Sequence, residues 1–282
     1  MRNIVLSMAL VLTTSVILLA QQSESVLWKI TGNGIAKPSY LFGTLHIASI
    51  TLLDSFPTLR QIAESADMAL FESLGSPIGQ VPEQLKDDQP PLDSLFTPEE
   101  YAKVDSFFTA SPLGSMRPHN DNADLLAMVQ AAMTMIENKT QYDRFDDLIF
   151  EKMINLKKPA FHLDNPLHVQ KVIDGLGYRR LAKFLVHLIE SHTSLAESGP
   201  EIGIDFTLYS QKLQNPLVLN EQPTEQVAQA TVERNAHWIP KIEEKLKEGS
   251  CFIAVGLEHL KYQTGLIELL RRKGYTLRPV KL

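Results

Sequence analysis

Cysteine is nearly absent from this sequence: Cys251 is the only one in 282 residues. No intrachain disulfide can form, whatever the redox compartment. Cys251 opens the apolar stretch Cys251-Phe252-Ile253-Ala254-Val255 and reads as a small buried hydrophobe, which argues against a cysteine protease. Dense positive charge is also lacking. The net charge is -6, and the cluster Arg271-Arg272-Lys273 reads as the cationic last turn of a helix. Nucleic acid is therefore not an expected partner. No His-Glu-x-x-His, Gly-x-Ser-x-Gly or phosphate-loop motif occurs, and no internal repeat. Hydrophobic residues, at 44%, suffice for one large core, with charged residues (21%) and aromatics (7%) at ordinary levels.

The N-terminus carries a single charge, Arg2, then a mainly apolar run from Ile4 to Ala20 and the polar stretch Gln21 to Ser25. This pattern predicts export to the periplasm or the extracellular space. Residues 1–20 are read as a signal peptide or, alternatively, an uncleaved N-terminal anchor, which would be the chain's only contact with a membrane. Residues 21–282 are read as one domain. Apolar runs of strand length fall at Val26 to Ile30, Ser39 to Phe42, Met68 to Phe71, Ala160 to Leu163, Phe252 to Val255 and Tyr275 to Val280. Several are continuously apolar and separated by helices, as in a sheet covered on both faces. The first two form a hairpin through Gly32-Asn33-Gly34. The proline-rich stretch Gly75 to Pro98 reads as a long loop or lid, and Thr97-Pro98-Glu99-Glu100 as a helix start. From about Asp121 to Ser198 the pattern is mostly helical, and Ser198-Gly199-Pro200 breaks it. Glu221 to Glu248 is largely helical with a kink expected at Pro240. The expected fold is α/β: a mixed central sheet with an N-terminal hairpin and a large helical insertion.

That insertion separates two corners of the same form. Gly43-Thr44-Leu45-His46 and Gly256-Leu257-Glu258-His259 each close an apolar run with Gly-x-x-His. A glycine at such a place lets the backbone turn sharply or approach a ligand closely. A histidine beyond a strand end sits where α/β folds put their chemistry. Two such corners brought face to face could hold a metal ion through His46 and His259. Elsewhere, His187 and His192 lie about 140° apart on a helix and share no ligand face.

The ordered set of features resembles the TraB/PrgY/GumN family, which includes the Tiki metalloproteases. It comprises the two corners, the acid-tipped run Ala66-Asp67-Met68-Ala69-Leu70-Phe71-Glu72, the stretch Lys157 to Asp164 with Gln170 beyond, Glu233-Arg234-Asn235, and Gly265 to Tyr275. The resemblance implies a metal-dependent peptidase acting on a peptide or protein. His46, Glu72 and His259 would be ligands of a divalent ion such as Mn, Co or Zn, with an open water position. It makes Glu72 and Arg234 site residues, with Arg234 free to neutralise an oxyanion or clamp a peptide carboxylate. Gly43, Gly256, Asp146, Asp164 and Asn235 would support them. Three residues depart from the pattern. Glu258 replaces a commonly small residue and is either an added ligand or general base, or a solvated neighbour. Asp164 stands where many members have glutamate, and Asn165 departs as well. The alternative function is a non-catalytic peptide or small-molecule binding or regulatory protein of the same fold.

Overall fold

A computed structural model describes residues 25–72, 90–121, 125–138, 143–164, 175–191 and 222–282. The apolar leader, most of the proline-rich stretch, Asn165, Gln170, His168, His192 and the breaker at 198–200 lie outside these residues. Among those described, no helix is long and apolar enough to cross a membrane. The strands are β1 (Leu27–Gly32), β2 (Ser39–Thr44), β3 (Met68–Phe71), β4 (Ala160–His162), β5 (Cys251–Gly256) and β6 (Tyr275–Pro279). The described α-helices are α1 (Thr51–Ser55), α2 (Pro57–Ser65), α3 (Pro98–Thr109), α4 (Leu125–Asn138), α5 (Phe145–Asn155), α6 (Tyr178–Ser191), α7 (Glu225–Glu248) and α8 (Leu266–Arg272).

The six strands form one sheet in the order β4-β3-β5-β2-β1-β6. β1 runs antiparallel to both neighbours, while β2, β5, β3 and β4 pair in parallel. The fold is thus mixed α/β, as the alternation of apolar runs and helices implies. The hairpin forms because Gly32, Asn33 and Gly34 all take positive φ between β1 and β2. β3 and β5 are buried at every residue, which accounts for their unbroken apolar sequence. β5 lies between β2 and β3, so strands from opposite ends of the chain become neighbours.

Local signals act where expected. Thr97 accepts from Glu100 N while Glu100 reaches back to Thr97 N, completing a capping box at the start of α3. α7 is one helix that contains Pro240, in keeping with the helical reading of this stretch, and Trp238, Ile239 and Ile242 around the proline are buried. Two details differ from the sequence reading. β2 does not stop at Gly43 but runs on to Thr44. Neither corner glycine takes positive φ, so neither makes a sharp turn. Gly43 is needed for packing: a Cβ there would sit 2.6 Å from a Leu257 methyl.

Candidate active site

Parallel pairing of four strands places their C-terminal ends along one edge of the sheet. β2 leads to His46, β3 to Glu72 and β4 to Asp164, while β5 ends at Gly256 and passes into a short 3₁₀ turn, Leu257–His259. His46, Glu72 and His259 therefore converge although they are remote in sequence. Glu72 Oε2 lies 3.7 Å from His46 Nε2, and Glu72 Oε1 lies 3.6 Å from His259 Nε2. The Gly256 N–H donates to Glu72 Oε2 at 3.0 Å. A Cβ on Gly256 would lie 3.1 Å from both Glu72 Oε2 and His46 Nε2, so the missing side chain leaves room for the cluster.

Each imidazole is oriented from behind. His46 Nδ1 donates to Asp146 Oδ2 at 2.7 Å, and the Thr44 hydroxyl donates to Asp146 Oδ1 at 2.5 Å. Asp146 sits in the first turn of α5, whose Phe145 N–H donates to the His46 carbonyl at 2.7 Å. His259 Nδ1 lies 2.7 Å from Asn235 Oδ1. The Asn235 amide nitrogen donates to the His259 and Thr264 carbonyls, which fixes its oxygen as the acceptor. With both Nδ1 atoms committed, both Nε2 atoms face the Glu72 carboxylate.

Arg234 closes the cluster. Its Nη2 donates to Glu72 Oε1 at 2.5 Å and to Asp164 Oδ2 at 2.6 Å, its Nε donates to Asp164 Oδ1 at 3.0 Å, and its Nη1 lies 3.2 Å from His259 Nε2. The guanidinium is therefore engaged with the protein's own carboxylates rather than left for a substrate carboxylate or oxyanion. Asp164, although shorter than glutamate, reaches both Arg234 and the Trp238 indole N–H, the latter at 2.9 Å. Its backbone N–H donates to the Glu72 carbonyl at 2.9 Å, drawing it toward the site.

These contacts divide the charge. Burial works against the Glu72 carboxylate, but the Arg234 guanidinium beside it holds it well below its usual range. Burial likewise disfavours a charged His46, yet Asp146 and Glu72 raise it overall. His259 is lowered by burial; Glu72 opposes the shift, whereas Arg234 adds to it. A neutral His259 accepting at Nε2 from Arg234 is consistent with that direction.

Glu258 takes a different course. Its oxygens accept from Lys261 Nζ at 3.0 Å and Tyr262 OH at 2.7 Å. It lines the same cavity as the histidines, but its polar partners belong to its own turn. Trp238 and Thr44 are site residues missed in the sequence. The Trp238 ring stacks on His259 with centroids 4.3 Å apart and lies 4.9 Å from the Arg234 guanidinium carbon. Its position one turn beyond Arg234 on α7 was the available signal. Thr44 lies inside the first corner, where a hydroxyl at a strand end was the corresponding clue.

The profile of the TraB/PrgY/gumN family matches residues 26–279. The chain belongs to the TraB/PrgY/gumN family. No curated protein and no solved structure matches it. The family match spans every element that supplies the cluster, from β2 to the turn carrying His259. Above the cluster lies a cavity of 460 Å³ walled by α4, α6 and α7. His187 lines that cavity.

Proposed function

We propose that this member of the TraB/PrgY/gumN family is an exported, metal-dependent peptidase whose centre is His46, Glu72 and His259. The observation that carries the proposal is the facing geometry. Two imidazoles with committed Nδ1 atoms turn Nε2 toward the two oxygens of one buried carboxylate. This donor set suits a divalent ion such as Mn, Co or Zn. Arg234 Nη1 stands 3.2 Å from His259 Nε2, and among the described residues no group of His, Cys, Asp or Glu is already drawn together at ligand spacing. The donors fit in type and orientation, and Arg234 must turn away from His259 for them to act together. Asp164, bound to Nε and Nη2, is the anchor for that turn. A bound ion would polarise the peptide carbonyl and acidify a water. The chain's own residues do the rest: Asp146 and Asn235 hold the ring planes, Arg234 keeps Glu72 ionised, and the cavity receives substrate next to the cluster.

A second reading, a binding protein that does not cut, is favoured by one specific observation. Arg234 is paired with Glu72 and Asp164, and Glu258 with Lys261 and Tyr262, so the polar groups satisfy one another. Metal analysis of leaderless protein, followed by digestion of a peptide library with and without chelator, separates the two. The peptidase reading expects chelator-sensitive cleavage, and expects His46→Ala and His259→Ala to fold normally yet bind no metal and cut nothing. Metal-loaded wild-type protein that retains peptides without cutting them would establish the second reading. Glu258→Gln is expected to leave the rate nearly unchanged, because its carboxylate is held by Lys261 and Tyr262. A loss of about 10²–10⁴ with metal retained would instead make it the general base.

A further inference from the structure

The cavity above the cluster differs in character from its floor. Its walls are apolar, with Leu126, Val129 and Met133 from α4, Leu181 and Phe184 from α6 and Val227 from α7. One side of the cavity carries charge: Arg180 and Lys183 line it from a single helix, beside His187, and all three are exposed. The acids lining the cavity, Glu72 and Glu258, are already paired with Arg234 and Lys261. Lys183 is paired with Glu100 at 2.5 Å. Arg180 has no acidic partner among the described residues. An apolar chamber that ends at the proposed centre and opens past a guanidinium with no acidic partner among the described residues is complementary to a ligand with a bulky apolar group and a nearby carboxylate.

We infer that the substrate is a peptide that buries a large aliphatic or aromatic side chain in this chamber and sets a carboxylate against Arg180. The carboxylate is either an acidic side chain or the peptide's own C-terminus. The inference rests on the peptidase reading for the word substrate, but its binding half stands apart from cleavage.

The test uses leaderless wild-type protein and fluorophore-labelled probes of the form Gly-Gly-Phe-Gly-Asp-Gly-amide. The comparison probes carry Ala for Phe, Asn for Asp, or Asn with a free C-terminal acid. The Phe/Asp probe should bind about tenfold or more tighter than its Ala counterpart, the scale expected for burying one aromatic side chain. Arg180→Gln, a change at an exposed position, should abolish the preference for Asp over Asn while keeping the preference for Phe. Ala230→Phe, which fills the chamber from α7, should do the reverse. Whichever of the Asp and free-acid probes is more weakened by Arg180→Gln identifies the source of the carboxylate. Equal binding of the Phe and Ala probes, no effect of Arg180→Gln on either acid, or tighter binding of dodecanoate than of every peptide would each overturn the inference. Probes bound in the expected order but never cut would sink the peptidase reading and leave this one standing. Chelator-sensitive cutting without the Phe and acid preferences would do the opposite.

Discussion

At the scale of single residues, the cluster depends on a side chain that is not there. Gly256 has an ordinary extended backbone (φ -51°, ψ 137°), so alanine is conformationally acceptable. Its Cβ, however, would press to 3.1 Å on both His46 Nε2 and Glu72 Oε2, and one of them must give by a few tenths of an ångström. Gly256→Ala should therefore fold and melt close to wild type while metal content and cleavage fall together. A variant with full metal occupancy would show that the glycine matters only for packing. Gly43 makes the contrast, since the obstacle there is the side chain of Leu257, and alanine should act on stability first. Some of this was readable in the sequence. The two Gly-x-x-His corners, the acid after β3 and the Arg234-Asn235 pair were identified and are brought together. The orientation of Glu258 was not readable, because Lys261 and Tyr262 compete for it only once the turn after β5 is folded. The role of Asp164 was hidden for a related reason. Its reach depends on where Arg234 and Trp238 stand on a helix remote in sequence.

At the scale of elements, the ends of the strands away from the cluster have their own fastening. Asp67 precedes β3, accepts from the Ser250 N–H at 2.8 Å just before β5, and pairs with Lys37 of the hairpin loop at 2.9 Å. Hydrogen bonds from Lys37 and Ser250 lower its carboxyl to about 2, against 3.8 for the unperturbed group. The folded value lies below the unfolded one, so the stabilisation is complete above the unfolded value and is lost as pH falls from about 4 to about 2. The side chain is 39% exposed, and solvent screening brings the expected contribution down to about 1 kcal/mol. Asp67→Asn should lower the urea midpoint at pH 7, and the gap from wild type should close by pH 2. A gap that persists at pH 2 would mean that the loss comes from altered hydrogen bonding and not from charge. The elements themselves were largely legible, because apolar runs, the Gly32-Asn33-Gly34 turn and the Thr97 cap are local signals. α7 was legible as well, since Glu221 to Glu248 reads as largely helical and Glu225–Glu248 is one helix containing Pro240.

At the scale of the whole molecule, the least legible feature was the strand order, and it is what makes the cluster. Wedging β5 between β2 and β3 aligns Thr44 with Gly256 and Phe71 with Ala254, which is how His46, Glu72 and His259 come to share one edge. No local pattern encodes that pairing; it follows from enclosing the most apolar strand at the centre of the sheet. The same arrangement supplies a reporter of global stability. Cys251 begins β5, is fully buried, faces Met68 across the sheet, and donates its N–H to the Ser39 hydroxyl at 2.9 Å. Burial pushes its thiol up to about 12, so the reactive thiolate is scarce in the folded state at pH 8. Labelling by a thiol reagent should then require separation of β5 from both β2 and β3, which amounts to unfolding the core. The labelling rate in native buffer should be far below that of unfolded chain. Below the transition it should rise log-linearly with urea, with the same slope as equilibrium unfolding. A urea-independent rate would place Cys251 in a local opening and would mean that the central strand is not the last element to part. Metal that raises the labelling half-life in wild type, but not in His46→Ala, would link the cluster at the sheet edge to the stability of its centre.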